Sequence, residues 1–373
     1  MIVMFWETNI NERHVRNVRS LMHIKASGDY CVLVSKDEED ESQYVLTLSN
    51  SVGCPIESKV INIEPRFVAM NHTHIIVCGE DSVYYWQYRN QYSASVSLES
   101  EKRKKKAGRE NAFLIDEIPN HNSIYDVKRW RPSTQPNNDP ICSVAAGNEG
   151  FVVGRDSGEV IKFTLPYIQQ ETKFTLRCKP QTIVMNNNCT KFAIVDINGV
   201  QSFFDTEAIP PGSKVPGYHL PNERKEVWSV IWSEDEPNLC AIMEKNRLYV
   251  MRDFEAEEPV LSPGYLCKFS DLEVKAVLLD DILRAPEDIK SISEMIATYE
   301  CKALRDTRDH LQEISLKDAI KFVEENSHPR LWKLICETAL EKLDFDVAAR
   351  AFVYMKDYFG LQLIERLRAM DDK

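Results

Sequence analysis

Pairs of short strands recur along the first three quarters of the chain. In one of them, the apolar run Phe151–Gly154 passes through the turn Asp156–Gly158 into the run Val160–Phe163. Two runs rich in β-branched and aromatic residues around a tight turn predict an antiparallel hairpin. The same arrangement occurs at Lys191–Phe204 and at Leu239–Met251. Repeated hairpins of this kind must bury the faces of many small sheets, which limits this region to a few all-β architectures.

The outgoing strand of each hairpin ends in a large apolar residue followed by a polar one. These positions are Trp6, Leu48, Trp86, Phe163, Phe204 followed by Asp205, and Met251. Most of their spacings are near 40 residues, the period of a WD-repeat blade, and each position is a degenerate form of the Trp-Asp pair of such a blade. We predict an incomplete WD40-like β-propeller over residues 1–283, with about five blades and an orphan strand at Val3–Thr8. An all-β sandwich with regular strand spacing is the alternative.

One spacing is nearly twice the others, which indicates an insertion at residues 91–138. The insertion contains a candidate partner-binding loop of five consecutive basic residues, Lys102, Arg103, Lys104, Lys105 and Lys106. Such a run can bind an acidic partner, a membrane surface or an import receptor. The alternative is a solvated loop tip without a partner. A strand is also expected within the insertion, at Ala112–Ile118.

After Ser315 the apolar period changes to 3.6, which predicts helices. Ser315 to Asp318 form a capping box, Pro329 is suited to open a second helix, and Asp344 marks a later break. The interpretation is an α-solenoid of tetratricopeptide-like hairpins over residues 299–373, after a connector at 284–298. A generic helical bundle is the alternative. We also expect a first helix over Ile296–Arg308.

Three apolar positions support the tetratricopeptide assignment. They are Trp332, Ala348 and Phe352, which match part of the repeat pattern. The match is imperfect, because Cys336 stands where glycine is usual. The small residue Ala348 permits close contact between helices.

The sequence offers no chemistry for catalysis. It has neither a glycine-rich phosphate loop nor a GxSxG motif. Its ten cysteines include no CxxC pair, and we interpret them as reduced thiols of a cytosolic protein. The pair His72 and His74 lacks the further ligands that a metal needs. The formal charge of −12 argues against nucleic-acid binding, and no apolar run could span a bilayer. We therefore predict no catalytic, cofactor or metal site, and no enzyme activity.

Several segments resemble the WD-repeat and tetratricopeptide subunits of intraflagellar transport complex A. They include Val3–Thr8, Trp86–Arg89, Val153–Gly158, His328–Trp332 and Ala339–Asp344. The matches run in the same order over nearly the whole chain. The resemblance covers the latter part of a second propeller and the first helices of a long solenoid. The chain is therefore expected to be a fragment, a truncated isoform or the product of an incomplete gene model, with exposed sheet edges.

The resemblance implies a non-catalytic scaffold that acts in retrograde intraciliary transport, cilium assembly and the ciliary entry of membrane cargo. The implied partners are other complex A subunits, with complex B and membrane-cargo adaptors further out. The implied location is the cilium, the ciliary base and the cytoplasm, with peripheral membrane contact as an option. The same architecture also occurs in scaffolds of vesicle coats and nuclear pores, which is the alternative function.

Overall fold

The computed structural model describes residues 1–7, 12–40, 42–89, 109–117, 138–210, 216–284, 292–314 and 316–371. The basic run at residues 102–106, most of the predicted insertion and Ser315 lie outside these ranges. The chain divides into two compact units. The first is mainly Met1–Trp232 with Met243–Lys245, and the second contains Ser233–Ile242, Asn246–Arg284 and Met295–Lys373.

The first unit is built from small antiparallel sheets. Its strands are β1 (Ile2–Glu7), β2 (Glu12–Asn17), β3 (Leu21–Ser27), β4 (Tyr30–Lys36), β5 (Tyr44–Asn50), β6 (Pro55–Ile61), β7 (Phe67–Met70), β8 (His74–Cys78), β9 (Ser82–Gln87), β10 (Arg109–Leu114), β11 (Ile141–Ala146), β12 (Gly150–Arg155), β13 (Glu159–Thr164), β14 (Gln169–Thr175), β15 (Pro180–Met185), β16 (Lys191–Asp196), β17 (Gln201–Asp205), β18 (Tyr218–Arg224) and β19 (Val227–Trp232). Strand β1 pairs with β2, and four four-stranded sheets follow as β3–β6, β7–β10, β11–β14 and β15–β18.

The sheets follow one another as propeller blades do. The first strands of consecutive sheets are neighbours, so that β3 lies beside β7, β7 beside β11, β11 beside β15 and β15 beside β19. The middle strands are buried on both faces, and for this reason β8 and β12 read as continuous apolar runs. Apolar clusters fill the space between successive sheets. In one of them Phe151 stacks on Phe163 with ring centroids 4.9 Å apart, and burial of such rings is the main stabilising contribution.

The remaining elements are short strands and helices. The strands are β20 (Leu239–Glu244), β21 (Arg247–Arg252), β22 (Glu255–Ala256), β23 (Val260–Leu261), β24 (Tyr265–Ser270), β25 (Glu273–Val277) and β26 (Ile296–Glu300). The helices are α1 (Leu279–Arg284), α2 (Lys302–Asp309), α3 (Leu316–Glu325), α4 (Pro329–Glu341), α5 (Phe345–Met355) and α6 (Tyr358–Asp371), with a 3₁₀ turn at Ile292–Met295 and a π-helical turn at His310–Ile314. Strand β21 pairs with β22 and β23, while β24, β25 and β26 form a three-stranded sheet.

The helices of the second unit begin and end where local chemistry predicts. Pro329 occupies the first turn of α4, where its missing N–H costs nothing. Asp344 caps α5, since its Oδ1 accepts a hydrogen bond from the Val347 amide at 3.1 Å. The end of α5 is closed by Lys356 in the left-handed conformation. Consecutive helices from α3 to α6 pack against each other, as in a helical repeat.

The predicted fold class, a WD40-like propeller followed by helical hairpins, is confirmed, with differences in detail. The strand at Val3–Thr8 has a partner, because β1 pairs with β2. The predicted helix at Ile296–Arg308 is wrong in its first five residues: Ile296–Glu300 is strand β26, whose β-branched and aromatic residues pair with β25. Within the predicted insertion, strand β10 pairs with β9 and completes a sheet. The predicted domain boundaries stay predictions.

Candidate functional site: the junction of sheet and helical repeat

Five of the six repeat positions identified in the sequence share one place in their strands, whereas Leu48 lies third from the end of β5. Trp6, Trp86, Phe163, Phe204 and Met251 are each the penultimate residue of β1, β9, β13, β17 and β21. All except Trp6 are buried, whereas the half-buried ring of Trp6 carries the Arg13 guanidinium at 4.2 Å. Trp86, Phe163 and Phe204 belong to the apolar clusters between successive sheets, which is a structural role.

Asp205 and the repeat residues of the helices also have structural roles. Asp205 Oδ1 accepts hydrogen bonds from the amides of Glu207 and Ala208 at 2.9 and 3.0 Å, which shapes the turn after β17. Trp332 in α4 and Ala348 and Phe352 in α5 are buried where these helices meet. Cys336 is buried in α4 as well, so the position that usually holds glycine is filled by a small thiol.

The helical repeat is joined to the sheets of the second unit through Asp235. The Ser233 hydroxyl donates to Asp235 Oδ1 at 2.5 Å, and the Asp271 amide donates to Oδ2 at 2.6 Å. Partial burial alone would raise the pKa of Asp235. The adjacent His328 and the hydrogen bonds from Ser233 and the Asp271 amide outweigh that effect and hold this pKa well below its usual range. Asp235 is therefore a carboxylate at neutral pH.

His328 provides the contact on the helical side. Its side chain is almost fully buried, and its Nε2 lies 3.4 Å from Asp235 Oδ2. Its Nδ1 accepts a hydrogen bond from the Arg330 amide at 3.1 Å and so caps α4. An accepting Nδ1 places the proton of the neutral ring on Nε2, which lies beside the carboxylate but makes no hydrogen bond among the described residues. One side chain thus caps the helix and contacts the sheet.

Further polar contacts lie around this pair. The Lys302 amide at the start of α2 donates to Glu257 Oε2 at 2.7 Å, and the Cys301 amide donates to the Leu272 carbonyl at 2.9 Å. Arg330 Nη2 lies 3.6 Å from Glu273 Oε1. Together these contacts link strand β25, the turns before β20 and β25 and the segment after β22 with α2 and α4, inside the second unit. We call this set, centred on Asp235 and His328, the sheet–helix junction.

The sequence gives little indication of this junction. The order His328–Pro329 is recognisable as a helix start, but Asp235 belongs to a polar turn like several others. The two residues are far apart in the chain, and only the fold brings them together. Of the predicted sites, the basic run 102–106 lies outside the described residues. In the described ranges, no group of three His, Cys, Asp or Glu side chains could hold a metal, and no helix has both the length and the apolar character to cross a bilayer.

A second buried polar cluster stabilises the first unit around His74. Asn71 Nδ2 donates to the Gly147 carbonyl at 2.7 Å and so links two neighbouring sheets. Asn71 Oδ1 accepts from the His74 amide, also at 2.7 Å. His74 Nδ1 is 2.7 Å from Thr73 Oγ1, and its Nε2 is buried without a partner among the described residues. Burial lowers the pKa of His74 to about 4.

This histidine should make the first unit sensitive to mild acid. The unfolded chain binds a proton near pH 6.5 and the folded chain near pH 4, so stability is complete above pH 6.5 and is lost as the pH falls toward 4. Between pH 7 and pH 5 the loss due to His74 should be about 2 kcal/mol. Urea unfolding at both pH values should show a smaller loss for His74→Gln than for the original chain. The exposed His72→Gln serves as the control and should leave the loss unchanged.

The geometry defines a class of protein, a WD-repeat propeller whose last sheets carry a helical repeat. A family model described as the WDR35 second beta-propeller matches residues 1–300. The chain belongs to this family. The match is consistent with a scaffold-type protein.

Curated relatives extend the match to nearly the whole chain. WD repeat-containing protein 35 of Rattus norvegicus is 40% identical over 369 residues, which are 98% of this chain and 31% of the relative. The protein of the same name from Homo sapiens is 39% identical over 380 residues, 98% of this chain and 32% of the relative. The chain thus spans about a third of the length of these relatives.

Two solved structures show a weaker likeness. "KlHsv2 with loop 6CD replaced by a Gly-Ser linker" is 13% identical at a TM-score of 0.45 and covers 73% of this chain and 81% of that one. "Kluyveromyces lactis Hsv2 complete loop 6CD" is 12% identical at a TM-score of 0.41, with coverages of 68% and 67%.

Proposed function

We propose that the chain is part of a non-catalytic scaffold subunit of intraflagellar transport complex A. The sheet–helix junction is the observation that carries this proposal. A contact between a partly buried carboxylate and a buried histidine is a means of fixing a helical repeat on a sheet, and a scaffold needs such fixed geometry between its binding surfaces. The match to WD repeat-containing protein 35 supports the assignment to this complex.

In this role the chain would act in retrograde intraciliary transport, in cilium assembly and in the ciliary entry of membrane cargo. Its partners would be other complex A subunits, with complex B and membrane-cargo adaptors as more distant ones. It would work at the ciliary base, in the cilium and in the cytoplasm. Propeller sheets and helical repeats offer large surfaces of fixed shape, which suits the binding of several proteins at once.

Proximity labelling tests this proposal. The protein, expressed from its own locus as a fusion with a biotin ligase in ciliated cells, should label complex A subunits as its main neighbours. Labelling of vesicle-coat or nuclear-pore proteins without ciliary components would contradict the proposal and favour the alternative scaffold. The variant Asp235→Ala should reduce labelling of complex A subunits, whereas Asp271→Asn, which keeps the backbone donor of the junction, should not.

A further inference from the structure

The sheet formed by β24, β25 and β26 ends in an open edge. Strand β26 pairs with β25 along one side, and no described strand lies on its other side. The sheets from β3 to β18 each have four strands, whereas this sheet has three. The open edge lies inside the chain, between the 3₁₀ turn that precedes β26 and helix α2 that follows it. An unpaired edge presents free N–H and C=O groups to a further strand.

The register of β26 shows which backbone groups face this edge. The amides of Cys301 and Leu278 donate to the carbonyls of Leu272 and Met295, both at 2.9 Å. Hydrogen-bonded pairs recur at every second residue of an antiparallel ladder. The alternate residues of β26 therefore direct their N–H and C=O groups away from β25, and these are Ile296, Thr298 and Glu300. Among the described residues, no backbone hydrogen bond joins these three to a further segment.

Free groups at every second residue of a strand select the shape of the partner. Only an extended chain repeats its own N–H and C=O groups at the same spacing, about 6.8 Å for two residues. A helix already uses its backbone groups internally, and a lipid surface or a small ion has no such row. The addition of a strand to a sheet edge is a recurring mode of peptide recognition.

The inner face of β26 favours apolar side chains on such a strand. Tyr299 and Ala297 lie opposite Val274 and Ala276, which are fully buried. Tyr299 and Ala297 themselves are only half-buried at the end of the sheet. An added strand would place alternate side chains beside Tyr299, where β-branched and aromatic residues pair well.

The solvent face of β26 favours an acidic side chain. Thr298 lies opposite Lys275, which is exposed and forms no ion pair within the described part of the chain. The carboxylates of this face, Glu273 and Glu300, are each engaged by an arginine of the second unit. Lys275 is therefore the charge left over near the edge. Because Thr298 is small, an acidic residue opposite it on an added strand can reach the Lys275 ammonium.

We infer that β26 binds an extended segment of a partner protein as a fourth strand of its sheet. Alternate apolar residues of that segment would lie beside Tyr299, and an acidic residue would lie opposite Thr298. An antiparallel second copy of β26 centred on Thr298 fits less well, since it brings threonine and no acid to this position. This inference deepens the proposed scaffold function, on which it rests for the partner being a protein. Labelling of complex A subunits and peptide binding are separate measurements, so either can fail without the other.

Fluorescence anisotropy of the whole 373-residue chain tests this inference. The probe is a labelled octapeptide that alternates valine with polar residues, which are threonine except for one central glutamate. We expect saturable binding that weakens about tenfold with Thr298→Pro and is unchanged with Thr298→Ala. Proline lacks the N–H at the open edge and its ring obstructs an added strand, while the hydrogen bonds of Ala297 and Tyr299 to β25 remain.

Two further measurements distinguish a paired strand from general adhesion. Methylation of alternate amide nitrogens of the probe should abolish binding in one of the two possible registers only, because every second N–H of an added strand faces β26. Lys275→Glu should weaken binding about fivefold, and exchange of the probe's glutamate for lysine should restore binding to that variant. Lys268→Glu, at an exposed lysine one strand further from the edge, should change binding little.

Three results would overturn the inference. The first is no binding of the probe at millimolar concentration. The second is equal binding to the Thr298→Pro variant or equal binding of the two methylated probes, which would mean that the probe binds elsewhere. The third is dimerisation of the chain that Thr298→Pro abolishes while the probe does not bind, which would assign the edge to a second copy. A thermal melt checks the folding of each variant, and the methylated probes keep the test decisive if Thr298→Pro does not fold.

Discussion

Asp235→Ala is expected to lower the free energy of unfolding of the second unit by about 3 kcal/mol. The substitution removes the acceptor of the Ser233 hydroxyl and the Asp271 amide, and it removes the carboxylate beside the buried Nε2 of His328. The Ser233 hydroxyl is buried, and a buried donor without an acceptor costs about 1–3 kcal/mol, to which the loss of the other two contacts adds. Denaturant unfolding, together with hydrogen exchange of α4, measures the effect.

The same measurements on two further variants separate the effect of losing the carboxylate from the effect of a general disturbance of the turn. Asp271 is exposed and contributes only its backbone amide to the junction, so Asp271→Asn should change stability by less than about 0.5 kcal/mol. His328→Ala should match much of the Asp235 effect, because it removes the other partner and the cap of α4. Equal stability of Asp235→Ala and the original chain would show that the junction does not hold the helices.

The parts of the fold that could be predicted are those determined by residues that are close together in the sequence. Alternating apolar runs around turns such as Asp156–Gly158 define the hairpins, and their repeat at about 40 residues defines the blades. Strand β26 could not be predicted in this way. Helix α2 begins close after its five residues, so the helical pattern can be extended backward through them. Only the pairing with β25 decides that this segment is a strand and not a helix.

The contacts within the site are harder to predict from the sequence than the fold is. Asp235 and His328 are separate polar residues until the second unit brings them together. They lie far apart in the chain, and no local pattern in the sequence pairs them.

Arg155→Leu is expected to destabilise the first unit by about 2–4 kcal/mol. The side chain of Arg155 is 7% exposed and lies within 4.0 Å of three carboxylates: Asp116 at 2.7 Å, Glu159 at 3.4 Å and Asp139 at 3.7 Å. Asp116 follows β10 and Asp139 precedes β11, so one guanidinium links two consecutive sheets. Without it, three acidic groups face one another, and two of them are only about a quarter exposed. Urea unfolding at pH 7 measures the loss.

The charge explanation makes a further demand on this substitution. Adding Glu159→Gln to the variant should restore part of the stability at pH 7, whereas the same change in the original chain should destabilise it. Arg177→Leu, at an exposed arginine of the same unit, should have little effect. A deficit that Glu159→Gln does not reduce would mean that Arg155 acts through packing of its aliphatic part rather than its charge.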